Sequence, residues 1–324
     1  MATYLVTGAA GFIGSKVAEI LLQQGHEVVG VDNLNQAYDV RLKEWRLQRL
    51  VSQKRFTFHR LDIVNKQACE PLFRDFSFDA VFNLAAWAGV RRSVENPWVY
   101  IDTNVTGTLN LLELCRRSGV PKFVLASTSS LYGAGNNPMP YREDADTDHP
   151  LSPYAASKKA AEVMAYTYHS LYGLDVTVFR YFTVYGPAGR PDMSLFRFVR
   201  WIMEGEPVVV FGDGRQQRDF TYVDDIARGT IAGVKPVGYE VINLGSDTPI
   251  VLMDAIRLIE RLAGREAQLV FRPRHSADVL ATWADISKAK RLLAWEPQVP
   301  FAEGVERLVT WYVRHRKLAS TLVL

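Results

Sequence analysis

The sequence predicts an α/β fold, a doubly wound parallel sheet joined to a smaller α+β lobe. Three observations carry this. Short runs rich in Val and Phe alternate with helical patterns through the first half of the 324 residues. A glycine-rich turn joins the first such run to the first helix. After Tyr181 the rhythm breaks: loops lengthen, and prolines recur at 187, 191, 207, 236, 249, 273, 297 and 300.

The elements follow in order. "YLVTG" reads as the first strand. Residues 12–24 space Val17, Ile20 and Leu21 as a helix does and stop at Gly25. "HEVVGVD", "FTFHRLD", "AVFNLAA" and "KFVLAST" are the next four strands, with helical stretches between them. One of those stretches is strongly apolar at Leu109, Leu111, Leu112 and Leu114. "YAASKKAAEVMAYTYHSLYG" is a long helix ending at Gly173, and "DVTVFRY" is the strand after it. Strands so apolar, separated by helices, imply βαβ units whose right-handed crossovers cover both faces of a parallel sheet. In the second half "PVVVFG" and "YEVINLG" read as strands, and 195–204, 252–263 and 301–315 as helices. The expected division is residues 1–180 and 181–324, with a soft boundary and chain crossings between the two.

Composition narrows the function classes. At 48% hydrophobic and 23% charged residues the chain has material for a large core. A net charge of +3 without any basic block argues against nucleic acid, while leaving room for local pockets that take a small anion. Cys69 and Cys115 have no second Cys or His at metal spacing, so buried free thiols are expected and no metal site. The chain shows no basic start followed by a long apolar run, and its apolar stretches fall far below the ~20 residues that span a bilayer. A cytoplasmic protein with no membrane partner is expected.

Chemistry gathers at the predicted strand ends. "TGAAGFIG" sets Gly8, Gly11 and Gly14, with Phe12 and Ile13, between a strand and a helix. Such a loop lets the backbone approach a pyrophosphate, and the helix N-terminus offers it unpaired N–H groups. Asp32, followed by Asn33, ends the second strand where an acidic residue binds an adenosine ribose, which favours NAD over NADP. Asp62 and Ile63 end the third strand as adenine contacts, and Leu84, Ala85 and Ala86 end the fourth with small residues near the cofactor. Tyr154 and Lys158 in "SPYAASK" lie four apart and share a helix face. A free tyrosine has a pKa of about 10, so a base at neutral pH needs about 4 kcal/mol of help. A nearby ammonium gives such help. Thr128, at the end of "KFVLAST", can hold the reacting oxygen.

These motifs resemble the extended short-chain dehydrogenase/reductase family, in its nucleotide-sugar epimerase and dehydratase branch, which has a Rossmann fold. They are "TGAAGFIG", "VDNL", "LDI", "NLAA", "STSSLYG", "YAASK", "RYFTVYGP", "GDGRQQRDFTYVDDIA", "NLGS" and "ADISKAKRLLAW", and they span nearly the whole chain. The resemblance implies tightly bound NAD, recycled in each turnover, and a UDP-sugar substrate. It makes Thr128, Tyr154 and Lys158 the catalytic group, supported by Asn104, with Tyr181 near the nicotinamide. The smaller lobe would hold the UDP through Arg218 and Asp278, although Ala277 stands where the family has glycine. Arg91 would reach phosphates or carboxylate. A homodimer through the helices holding Leu109–Leu114 and Tyr154–Tyr172 is also implied.

The sugar is implied by two departures. Relatives that dehydrate or decarboxylate carry acidic residues where this chain has Ser129 and Ser130. Relatives acting on UDP-glucose carry asparagine at Thr183. "TVYGPAGRPDM" looks like the UDP-glucuronate 4-epimerases, so Thr183, Arg190, Ser129 and Ser130 are the candidates for a substrate carboxylate. For Arg190 the competing reading is a pair with Asp192. The implied reaction is epimerisation of UDP-glucuronate to UDP-galacturonate through a 4-keto sugar, with Tyr154 as base. UDP-glucose 4-epimerisation and UDP-glucuronate decarboxylation are the alternatives.

Overall fold

The computed structural model describes residues 1–133, 137–273 and 279–324. The first half contains strands β1 (Thr3–Thr7), β2 (Glu27–Asp32), β3 (Phe56–Arg60), β4 (Ala80–Asn83), β5 (Lys122–Thr128) and β6 (Asp175–Tyr181). Helices α1 (Phe12–Gln23), α2 (Val40–Val51) and α3 (Lys66–Asp75) separate the first four. After β4 come α4 (Val90–Glu95), α5 (Trp98–Tyr100), a π turn at Ile101–Thr106 and α6 (Gly107–Ser118). A 3-10 turn at Ser129–Tyr132 and α7 (Pro153–Tyr172) lead from β5 to β6.

All seven residues of β5 are buried, as a central strand covered on both faces requires. α7 is delimited by its own residues. Pro153 opens it, the Ser152 side chain accepts the Ala155 N–H, and Gly173 closes it in the left-handed conformation.

The later elements are β7 (Thr183–Tyr185), α8 (Ser194–Glu204), β8 (Val208–Phe211), β9 (Gln217–Tyr222), α9 (Val223–Ala232) and β10 (Tyr239–Leu244). Then come β11 (Pro249–Val251), α10 (Leu252–Ala263), β12 (Leu269–Arg272), α11 (Ser287–Leu293), α12 (Phe301–Arg314) and α13 (Arg316–Ala319). The main sheet is parallel throughout, in the order β10-β6-β5-β4-β1-β2-β3. Its order reverses at β1, so crossovers lie on opposite faces. Leu111, Leu112 and Leu114 of α6, Ala161 and Ala165 of α7 and Cys69 of α3 share one core. Val17, Ala18 and Leu21 of α1 share another with Ile226 and Ala227 of α9. Both cysteines are buried and free, as expected.

β11, β9 and β7 form a small mixed sheet, and β12 pairs with β8. A third core gathers there from α8, α10 and α12, including Phe198, Trp201, Ile256 and Leu308. One strand of the second half returns: "YEVINLG" joins the main sheet as its seventh strand, beside β6. The open edge of β6 dictates this, because an unpaired edge there would expose a row of backbone donors and acceptors.

Because every main strand runs the same way, the residues after β1, β2, β3, β4, β5 and β6 gather along one edge of the sheet. Gly8, Asp32, Asp62, Leu84, Thr128 and Tyr181 all line the same cavity there.

Candidate active site

The cavity holds about 690 Å³ and lies between the main sheet's edge and the wall made by α8, β8 and β9. At its floor the glycine loop is tightly constrained. Gly8 has φ +68°, and a Cβ on it would come within 2.8 Å of the Ala85 nitrogen. A Cβ on Gly14 would lie 2.1 Å from the Gly8 carbonyl. The first turn of α1 follows Gly11, whose lack of a side chain leaves the helix without a side-chain cap. Its N–H groups are thus available to an anion. Gly11, Phe12, Ile13 and Gly14 line the cavity.

Asp32 accepts the Ala10 N–H at 3.1 Å and the Leu34 N–H at 2.8 Å, which fixes its carboxylate beside the loop. Asn33 donates to Asp62 at 2.8 Å, tying the ends of β2 and β3 together. Asp62 also accepts the Val64 N–H, while the cap of α3 is Asn65. Ile63 packs against Gly107, and Leu84, Ala85 and Ala86 complete this side. Glycine cradle, open helix N-terminus and acidic residue at the end of β2 fit a dinucleotide.

At the sheet's centre Tyr154 faces the cavity from α7, edge-on to Tyr100. Burial pushes its phenol up, and hydrogen bonding with Thr128 and then the Arg190 charge pull it back. Lys158, one turn along, donates from Nζ to the Ala126 carbonyl at 2.9 Å. Burial brings its pKa down to about 8, and the Glu162 charge opposes that fall. Tyr154, Lys158 and Glu162 stand at four-residue steps on one helix face. Glu162 takes Ser127 Oγ at 2.5 Å and both Arg180 Nε at 3.1 Å and Nη2 at 2.9 Å. The carboxylate therefore braces β5, β6 and α7 just behind Thr128.

Thr128, Ser129, Ser130, Thr183, Arg190, Arg91 and Arg218 line the cavity. Arg190 does meet Asp192, Nε–Oδ1 3.1 Å and Nη2–Oδ2 2.7 Å, and reaches the Ala88 carbonyl at 3.1 Å. It is nonetheless part of the wall, with its charge acting on Tyr154. Arg218 donates to the Gln217 and Leu280 carbonyls. Arg91 lies over the Phe211 ring at 4.2 Å.

Asn104 is placed differently from expectation, Tyr181 has a further bond, and Asp278 falls where nothing is described. Asn104 does not line the cavity; its amide clasps the Trp87 backbone in both directions and donates to Ser157 at 2.9 Å. Tyr181 lines the cavity, but its hydroxyl is bonded to Thr230 on α9 at 2.8 Å. Asp278, with Arg274 and His275, lies outside the described residues.

Several lining residues escaped sequence reasoning. Lys43 stands 3.9 Å from Asp32 and donates to Asn35. Arg197 and Trp201 project from α8. Arg46, just behind, bonds the Ala10 and Ala188 carbonyls, so it pins the loop after β7 to the glycine loop. Glu162 had a local signal, four residues after Lys158 in "SKKAAE". Arg197 stands among Ser194, Arg200 and Glu204 on the polar face of α8, which gives no local signal.

Among the described residues the lining carries seven Lys or Arg side chains against three side-chain carboxylates. All three carboxylates are engaged: Asp32 and Asp62 by backbone N–H groups, Asp192 by Arg190. The cavity is thus built for anions. Among the described residues no three His, Cys, Asp or Glu side chains gather to hold a metal ion.

Comparison with known proteins agrees with this geometry. A profile of the NAD dependent epimerase/dehydratase family matches residues 4–245. The chain is 59% identical to a UDP-glucuronate 4-epimerase of Thermodesulfobacterium geofontis, covering 99% of each. The crystal structure of a Bacillus cereus UDP-glucuronic acid 4-epimerase with UDP-glucuronic acid and NAD superposes with a TM-score of 0.90. Identity there is 38%, over 96% of this chain and 99% of that one. A Thermotoga maritima UDP-glucose 4-epimerase with UDP-glucose also gives 0.90, at 34% identity over 96% and 99%.

Proposed function

The chain belongs to the NAD dependent epimerase/dehydratase family, and from that premise we propose how its cavity works. The protein is an NAD-dependent isomerase that converts UDP-glucuronate to UDP-galacturonate through a transient 4-keto sugar. NAD supplies hydride uptake from carbon 4 and its return to the opposite face. The observation that carries the assignment is Tyr154, facing the cavity with the Thr128 hydroxyl and the Arg190 charge at its phenol.

The residues divide the work. Gly8, Gly11, Phe12, Ile13 and Gly14 cradle the cofactor's diphosphate, and Asp32 with Asn33 takes the adenosine ribose. Asp62, Ile63, Leu84, Ala85 and Ala86 bound the adenine side. Tyr154 removes the proton of the 4-hydroxyl, and Thr128 holds that oxygen. Lys158, kept charged, favours the phenolate. Asn104 supports the group from behind, holding the Trp87 backbone and Ser157. Ser129, Ser130, Thr183 and Arg190 receive the uronate carboxylate, and Arg91 and Arg218 the UDP end.

Plain epimerisation is favoured over decarboxylation because further chemistry at carbon 5 needs another acid or base. The lining carboxylates among the described residues are all engaged elsewhere, and the end of β5 offers only hydroxyls. The excess of basic residues suits a substrate with a carboxylate besides its diphosphate.

This reading takes 1–180 as the NAD-binding part and 181–324 as the nucleotide-sugar part, with β10 returning to the first. It includes a homodimer. The leucines of α6 are spent on the core, so the contact falls to exposed Trp98, Ile101, Val163 and Tyr166. Buried free thiols suit the cytoplasm.

The test is to give the purified protein UDP-glucuronate and UDP-glucose side by side, without added NAD, and identify products by NMR. UDP-galacturonate from the first is expected. Turnover of UDP-glucose alone, or carbon dioxide with a UDP-pentose as main product, would overturn the reading. Light scattering of the same sample at micromolar concentration should give twice the chain mass.

A further inference from the structure

Buried polar nitrogens without an acceptor are rare, and each one asks for a partner. Among the described residues four are present: His59 Nε2, Arg197 Nε, Arg200 Nε and Trp311 Nε1. Only Arg197 belongs to the cavity lining. We propose that Arg197 binds the diphosphate of the nucleotide sugar, an assignment that rests on the reading above.

Placement carries the argument. Arg197 sits in the first turn of α8, and its guanidinium carbon lies 4.4 Å from the ring centre of Trp201, one turn on. Stacking on that ring fixes the plane of the fork, which readies it for two-point contact with phosphate oxygens. Burial works against its charge, the Arg91 and Arg92 charges add to this and Asp192 partly offsets them, so an arriving anion relieves what remains.

Its neighbours say which anion. Asp192 acts on the Arg197 charge and pairs with Arg190, which reaches the Ala88 carbonyl and acts on Tyr154, the sugar end of the proposed reading. Arg91 acts on the Arg197 charge as well and lies over Phe211 of β8, in the same wall as Arg218 of β9, the residues given above to the UDP end. A group between the sugar and the nucleoside is the diphosphate. The cofactor's own diphosphate has the glycine loop and the uncapped α1.

The test uses the full chain loaded with NAD. Affinities for UDP, UMP and uridine are measured by calorimetry for wild type, Arg197→Met and Arg197→Lys. Methionine keeps the length and loses the charge. UDP binding should weaken about 10- to 100-fold in Arg197→Met, with uridine unchanged and Arg197→Lys between. The KM values for UDP-glucuronate and UDP-glucose should rise together while kcat holds. Thermal unfolding without nucleotide should be no lower for Arg197→Met, because a partly buried charge whose Nε lacks an acceptor is removed. Unchanged UDP affinity, a loss confined to UDP-glucuronate, or a lower melting temperature would each overturn the assignment. Failure of the wild type to bind UDP would overturn this and the proposed substrate together, whereas the other outcomes leave the substrate standing.

Discussion

Glu162→Gln should separate the bracing of the site from its chemistry. Glu162 and Arg180 are both almost wholly buried, with side-chain exposures of 4% and 5%. Two charged hydrogen bonds join them, at 3.1 and 2.9 Å, and a third comes from Ser127 at 2.5 Å. Burial works against the Arg180 charge, but the Glu162 carboxylate holds its pKa above the ordinary value. An amide can still accept from Ser127, yet it leaves the guanidinium charge uncompensated. Breaking a buried pair in this way costs about 3–5 kcal/mol. For 324 residues a fall in melting temperature of about 4–7 °C follows. Arg180→Met added to Glu162→Gln removes the lone charge and should recover much of that loss.

The same carboxylate opposes the burial that brings Lys158 down to about 8. Burial and the Glu162 charge are the two influences on Lys158, so neutralising Glu162 leaves burial unopposed. The sign is then determined. On the proposed mechanism activity needs charged Lys158, so it falls as pH rises through the Lys158 pKa. In the wild type this limb should stand near pH 8, with about nine-tenths of the lysine charged at pH 7 and about one-tenth at pH 9. In Glu162→Gln it should move to lower pH. The assay is kcat against pH from 6 to 9.5 by product NMR, beside melts followed by circular dichroism. A variant that melts like wild type and keeps the same alkaline limb would refute the reasoning.

Three further outcomes are expected. Tyr154→Phe should lower kcat by at least about 10²-fold while NAD remains bound, since only the proton acceptor is lost; residual activity near wild type would remove Tyr154 as base. Gly14→Ala puts a Cβ 2.1 Å from the Gly8 carbonyl, so purified protein should carry little NAD, read by absorbance after denaturation. Arg190→Ala combined with Asp192→Asn, which avoids an unpaired buried carboxylate, should weaken UDP-glucuronate about tenfold or more and spare UDP-glucose. Equal affinities for both in that variant would take the carboxylate away from Arg190.

Much of this was legible because the signals are local. A glycine loop between strand and helix, an acidic residue ending β2, and a tyrosine four residues before a lysine are all spacings along one element. Helix and strand geometry turn such spacings directly into neighbours. Thr128 and Tyr154 come from different elements, yet both sit where a parallel sheet must end, so their meeting was also foreseeable. The basic wall was not. Arg197 has the helical phase of a solvated face on α8, and Lys43 shares the buried face of α2 with Leu42 and Leu50, so only the packing of these helices beside the sheet edge brings them to the cavity. The seventh strand was read as a strand but assigned to the other lobe, since edge pairing depends on which strand is left open rather than on sequence order.

The sequence by itself determined the alternating architecture, the dinucleotide cradle and the Tyr154–Lys158 face, because each depends on periodicity within a few residues. Tertiary structure alone decided that Arg190 pairs with Asp192 while still facing Tyr154, and that Glu162 braces Ser127 and Arg180. It also decided that Asn104 bonds the Trp87 backbone and Ser157 outside the cavity and that Arg197 stands in its wall with Nε lacking an acceptor. Those facts join residues tens of positions apart or depend on burial, and burial exists only once separate elements have packed.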